Sequence, residues 1–142
     1  MIFYDDKGNP VVYLMEDGEH LYFFDGTPAA YLFEDAVYAF DGRQCGWMER
    51  GWIRDMEGRC VMFADQPLFE GPFRPSRKEP PARLAPKARP HRRARRQKGA
   101  KTAYKAAWSS LSPAEFFGAG RGCRRPGGDS RGPAAGGAGD RR

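Results

Sequence analysis

The sequence predicts an all-β fold: four repeated β-hairpins, about eight short antiparallel strands, closed into a four-petal, propeller-like domain or a small barrel and followed by a disordered basic tail. Three observations lead there. Gly8, Gly26, Gly42 and Gly58 recur at intervals of 18, 16 and 16 residues. Five places before them stand Phe3, Leu21, Val37 and Ile53, and five places after them Tyr13, Tyr31, Trp47 and Phe63. The runs between are aromatic and β-branched with no helical period, the pattern of short strands separated by turns.

Each unit is a strand, a turn dipeptide and a second strand. Asp25-Gly26 and Asp41-Gly42 suit a tight hairpin, because glycine accepts positive φ without a steric cost and aspartate tolerates it. Lys7-Gly8 and Glu57-Gly58 hold the same place with weaker first residues. Pro10 and Pro28 lack a backbone donor, which assigns them to strand starts or unpaired edges.

A two-residue turn would pair Phe3 with Val12, Leu21 with Ala30, Val37 with Gly46 and Ile53 with Met62. Leu14, Leu32, Met48 and Ala64 join that face. The opposite face carries Tyr4, Tyr22, Tyr38 and Arg54 together with the column Tyr13, Tyr31, Trp47 and Phe63. Both faces are more apolar than a half-solvated sheet needs, so the strands are either buried on both sides or keep one face for a partner. A bulge would shift the register. A unit of this size cannot bury its own apolar face, and closing four of them into a ring gives each one neighbours and leaves few free edges.

The chain divides as 1–66, the four-hairpin domain; 67–103, a Pro/Arg/Lys-rich linker; 104–118, a short docking motif; and 119–142, a Gly/Arg-rich disordered tail. Residues 1–65 hold 5 Lys/Arg against 13 Asp/Glu, and the remainder holds 19 against 5. The head is therefore acidic and the tail basic, so the tail should be drawn to the head or to an outside polyanion. Its prolines favour extended, polyproline-like chain, and residues past 66 are expected to take no part in the barrel interior. Arg92, Arg93, Arg95, Arg96 and Lys98 form a dense cationic run suited to phosphates without base reading. Ser112-Pro113-Ala114-Glu115 has the order of a helix start. With Trp108, Leu111, Phe116 and Phe117 around it, this is an apolar stretch that either docks on the aromatic face of its own head or takes a protein partner.

Chemistry is sparse in the head, which has no serine, one threonine (Thr27) and one histidine (His20). Cys45 and Cys60 fall in repeat columns held elsewhere by small or apolar residues, which reads as packing; His20 reads as a surface residue. With Cys123 they form no CxxC pair, so neither a metal site nor a disulfide framework is signalled. Asp25, Asp41 and Glu57 follow from the turn column rather than from a catalytic pair. No cofactor is implied, and the absence of a secretory signal pattern or a long apolar stretch suggests a cytoplasmic protein.

The phrase Leu21-Tyr22-Phe23-Phe24-Asp25-Gly26, then Gly46-Trp47, then Gly51-Trp52-Ile53-Arg54-Asp55, and finally Gly71-Pro72 before a Pro/Arg tail resemble the bacterial 4-fold beta flower proteins. The resemblance covers roughly residues 2–75, with a looser echo to Phe117. It implies the four-petal fold and brings no activity or catalytic residue. The sequence thus points to a non-catalytic interaction module. Its protein-binding surface would comprise Tyr13, Tyr22, Tyr31, Tyr38, Trp47 and Phe63, with Trp108, Leu111, Phe116 and Phe117 as the docking motif. The alternative is a nucleic-acid-associated protein that binds RNA or DNA backbone through Arg92–Lys98.

Overall fold

A computed structural model describes residues 1–65, 67 and 71–118; Cys123 and the Gly/Arg-rich segment 119–142 lie outside them. Strands β1 (Ile2–Tyr4), β2 (Pro10–Leu14), β3 (His20–Phe23), β4 (Pro28–Phe33), β5 (Ala36–Tyr38), β6 (Gln44–Glu49), β7 (Trp52–Asp55) and β8 (Cys60–Phe63) run in chain order around a closed antiparallel barrel. Of the two closed forms the sequence allowed, the barrel is the one observed. β1 and β8 meet at Tyr4 and Phe63, which removes the last free edge.

The inward face is the one the repeat predicts. Phe3 pairs with Val12, Leu21 with Ala30, Val37 with Gly46 and Ile53 with Met62. These side chains form the interior core, with Leu14, Leu32 and Met48 packed at its margin.

The turns differ from the two-residue form. Asp5 accepts from the Gly8 N–H at 3.0 Å while its own N–H donates to Asn9 at 2.9 Å, and the other three petals repeat the arrangement. Each glycine therefore closes a longer turn, with φ between 83° and 95°. A bulge then restores the predicted pairing further along the strand by leaving Val11, Ala29, Cys45 and Val61 as the extra residues. Three of these, Ala29, Cys45 and Val61, are buried in the core, which accounts for the cysteine in that column.

Lys7-Gly8 and Glu57-Gly58 work because their aspartates have moved. Asp5 Oδ1 accepts from Lys7 and Asn9, and Asp55 Oδ1 from Glu57 and Arg59. In the middle petals the turn aspartates Asp25 and Asp41 accept from Thr27 and Arg43. Both placements satisfy turn N–H groups that the strands leave over. Pro10 and Pro28 begin their strands, where a missing donor is harmless.

Beyond residue 66 the structure departs from a free linker. Residues 74–105 form neither helix nor strand, but they hydrogen-bond to the barrel along its circuit. The helix α1 (Pro113–Phe117) has the expected capping box: Ser112 Oγ accepts from Glu115 N–H, and Glu115 Oε1 accepts from Ser112 N–H. Phe116 and Phe117 are 1% and 5% exposed and enter the interior core with Phe3, Leu21 and Val37. The helix is thus a plug that adds two rings to the barrel's apolar core.

Candidate peptide track on the outer face

At the seams between hairpins the two outward columns come together. Tyr13 pairs with Tyr22, Tyr31 with Tyr38, Trp47 with Arg54 and Phe63 with Tyr4. The first two pairs stack with centroids 6.2 and 6.0 Å apart. All eight residues are buried, the most open being Tyr4 at 5%. The segment 74–105, the belt, runs over them.

The belt meets the four petals at intervals of nine residues. The carbonyls of Ser76, Ala85, Ala94 and Ala103 lie 2.1–2.2 Å from where a Cβ would stand on Gly8, Gly26, Gly42 and Gly58. Only glycine leaves room for that approach. Two residues further on, the N–H groups of Lys78, Lys87, Arg96 and Lys105 donate to the carbonyls of the same glycines at 2.9, 2.8, 2.9 and 3.2 Å. The barrel answers with side chains: Tyr22 Oη donates to the Lys87 carbonyl, Tyr38 Oη to that of Arg96 and Arg54 Nη1 to that of Lys105.

Cations of the same period sit on the rings. Arg83 lies 3.9 Å over Tyr13, Arg92 3.8 Å over Tyr31 and Lys101 5.5 Å from the Trp47 ring. A guanidinium over a ring face is worth about 0.5–2 kcal/mol, more as it loses water. Phe63, the fourth ring of the column, is covered instead by Trp108, which also packs on Trp52, with centroids 6.1 Å apart in each case. Here the belt closes on itself: Trp108 Nε1 donates to the Phe73 carbonyl at 3.0 Å. Cys60 donates to Ala107 and accepts from Ser109 through its backbone. Pro10 and Pro28 occupy the equivalent position in the first two petals and have no N–H to offer.

Acidic head and basic belt are paired along this circuit. Lys101 bridges Asp35 and Glu49 at 2.6 and 2.7 Å, Lys98 meets Glu34, Arg77 meets Asp65, and Arg92 meets Glu19. Hydrogen bonds from Lys101 hold the Asp35 and Glu49 carboxyls below their ordinary range, and Arg92 does the same to Glu19. The carboxylates in turn push Lys98 and Lys101 upward, Glu34 acting on the first and Asp35 on the second.

Of the cations considered for phosphate, Arg92 and Lys98 are thus engaged with the head, and Arg95 lies 3.8 Å over Phe33. Arg93 and Arg96 dock through their backbones, with side chains exposed. Of the residues considered for protein binding, Tyr13, Tyr22, Tyr31, Tyr38, Trp47 and Phe63 lie under the belt or its clasp, Trp108 is the clasp, and Phe116 and Phe117 are the plug. Leu111 stays 40% exposed beside a cleft of about 300 Å³ that Phe116 also lines. The nine-residue period is present in the sequence as Arg74, Arg83, Arg92 and Lys101 with Ser76, Ala85, Ala94 and Ala103. Among so many prolines and arginines it passes for linker composition.

His20 is not a surface residue. It is 7% exposed, with Nδ1 2.7 Å from Asp17 Oδ2 and Nε2 2.8 Å from Arg92 Nη2. Arginine can only donate, so Nε2 accepts and Nδ1–H donates to Asp17. Burial works to raise the Asp17 carboxyl, but hydrogen bonds from the Glu19 N–H, the His20 ring and the His20 N–H bring it down to about 2. The ring is a strut under Arg92. Burial pushes the Cys45 and Cys60 thiols up to about 11, which keeps both protonated at neutral pH. Among the described residues no helix is long and apolar enough to cross a membrane.

A closed barrel of four hairpins that carries a nine-residue-period belt and a helical plug defines a self-belted, four-petal class of β-protein. The chain belongs to the 4-fold beta flower protein family, whose model matches residues 1–117. The match ends on the last residue of the plug helix, so belt and plug lie within it. No curated protein and no solved structure matches the chain.

Proposed function

We propose that this protein is a non-catalytic interaction module whose outer face is a track for an extended, basic peptide, and that residues 74–105 occupy the track in the resting molecule. The supporting observation is the repetition: four petals make the same glycine-carbonyl hydrogen bond to belt residues spaced by nine. Such main-chain recognition accepts varied side chains, while the rings select cations at one place in each unit. The barrel's own nucleophile inventory, with two protonated buried thiols, no serine and one histidine engaged on both nitrogens, supports a binding role over catalysis.

The test is a full-length protein carrying two protease sites, one between Asp65 and Gly71 and one between Lys105 and Trp108. After cleavage at both, the belt should stay bound at low salt and exchange with a labelled peptide of residues 74–105 as salt rises, while the plug stays in the core. A belt that cannot be exchanged without unfolding the barrel would make it part of the core structure rather than a ligand, and the reading would fall.

A further inference from the structure

Four near-equivalent petals pose a problem for a belt of regular period, because its units could settle one petal out of place. We propose that Arg54 and Tyr104 are the register key that selects one phase. In one outward column the barrel presents Tyr4, Tyr22, Tyr38 and Arg54. The belt residues of matching period are Arg77, Pro86, Arg95 and Tyr104. Arg77 lies 5.8 Å from the Tyr4 ring and Arg95 5.9 Å from that of Tyr38. At the fourth petal the partners have changed sides: the barrel supplies the cation and the belt the ring, with Arg54 Cζ 3.9 Å from the Tyr104 centroid.

The exchange discriminates because Arg54 is buried, at 2% exposure. Its Nη1 donates to the Gly58 and Lys105 carbonyls at 2.8 and 3.2 Å, and its guanidinium carbon lies 3.9 Å from the Tyr104 ring centroid and 5.9 Å from that of Trp52. A shift of one petal in one direction would bring Arg95 against it, two like charges with one already out of water. A shift in the other direction would set Tyr104 against Tyr38 and strip the buried cation of its ring. Repulsion in the wrong phases, more than attraction in the right one, gives the pair its selectivity. The key rests on the track reading, since it presumes a belt that docks unit by unit.

Amide hydrogen exchange on the full chain tests it, read at Lys105, whose N–H goes to Gly58, and at Lys87, whose N–H goes to Gly26. Tyr104 is 41% exposed, so its variants leave the barrel core in place. Tyr104→Arg should speed exchange at Lys105 about tenfold, and Tyr104→Phe, which keeps the ring over the cation and gives up only the hydroxyl's hydrogen bond to Glu49, should speed it clearly less. The reciprocal pair Arg54→Tyr with Tyr104→Arg restores a cation on a ring but makes the fourth petal like the others, so it should recover only part of the protection that Tyr104→Arg loses. Unchanged exchange at Lys105 in Tyr104→Arg, or no recovery in the reciprocal pair while Lys87 stays protected, would overturn the key and leave the track standing. An unprotected Lys87 amide in the unaltered chain would overturn both.

Discussion

Trp108 donates its indole N–H to the Phe73 carbonyl at 3.0 Å, which ties the chain just after the belt to the residue just before it. The circuit around the barrel is therefore closed by one side chain, and its removal should be felt at both ends. Trp108→Ala loses the hydrogen bond and the packing on Trp52 and Phe63, a cost of about 2–3 kcal/mol for a half-buried ring. Limited trypsin digestion should then cut first at Arg77 and Lys78, since Pro75 protects the bond after Arg74. Trp108→Phe, which keeps a ring and loses only the donor, should cost about 1 kcal/mol.

Belt docking should weaken with salt and with acid. Glu19, Asp35 and Glu49 have carboxyls depressed in the folded state by Arg92 and Lys101. A depressed carboxyl contributes stability that is present above its unfolded pKa, near 4, and is lost as pH falls through the folded value. Belt amides such as Lys87, Arg96 and Lys105 should lose protection below about pH 4 while barrel amides keep theirs. At neutral pH, raising salt from about 0.05 to 0.5 M should act in the same direction, because these pairs are largely solvent-exposed.

The plug should matter more than its length suggests. Phe116 is 1% exposed and its Cε1 lies 2.9 Å from where a Cβ on Gly46 would stand. Phe116→Ala should lower stability by about 3–5 kcal/mol in urea unfolding. Gly46→Ala should also destabilise the protein, since the added Cβ would fall 1.9 Å from the Arg54 carbonyl oxygen.

Gly42 answers two demands at once. Its φ is 95°, and a Cβ would stand 2.1 Å from the Ala94 carbonyl oxygen. Gly42→Ala should therefore cost about 1–3 kcal/mol and raise exchange at the Arg96 amide, whereas a strained turn alone would leave that amide unaffected.

The thiols of Cys45 and Cys60, pushed up to about 11 by burial, should resist alkylation in the native protein at pH 8. Peptide mass mapping should find both modified only after denaturant is added.

Much of the barrel was legible because its causes are local. The turn glycines recur at a near-fixed period, and the side-chain period of two puts Phe3, Leu21, Val37 and Ile53 on one face. The capping box at Ser112 is likewise a short-range pattern. The candidate track was half legible: its rings stood out as a surplus of apolar residues on the second face, but what covered them did not. The nine-residue spacing of Ser76, Ala85, Ala94 and Ala103 marks contacts with glycines some 45 to 68 positions earlier. Nothing in the belt itself favours that conformation over any other extended one.

By itself, then, the chain's order of residues determined the four hairpins, the pairing of their inward faces and the acidic and basic halves, because turn preference and strand alternation act between near neighbours. Tertiary structure alone decided that the basic half encircles the acidic one, that Phe116 fills the barrel, and that Arg54 and Tyr104 trade places at the fourth petal. Those outcomes depend on surfaces that exist only after the ring has closed, when the buried rings, turn carbonyls and glycine gaps are brought within reach of the belt.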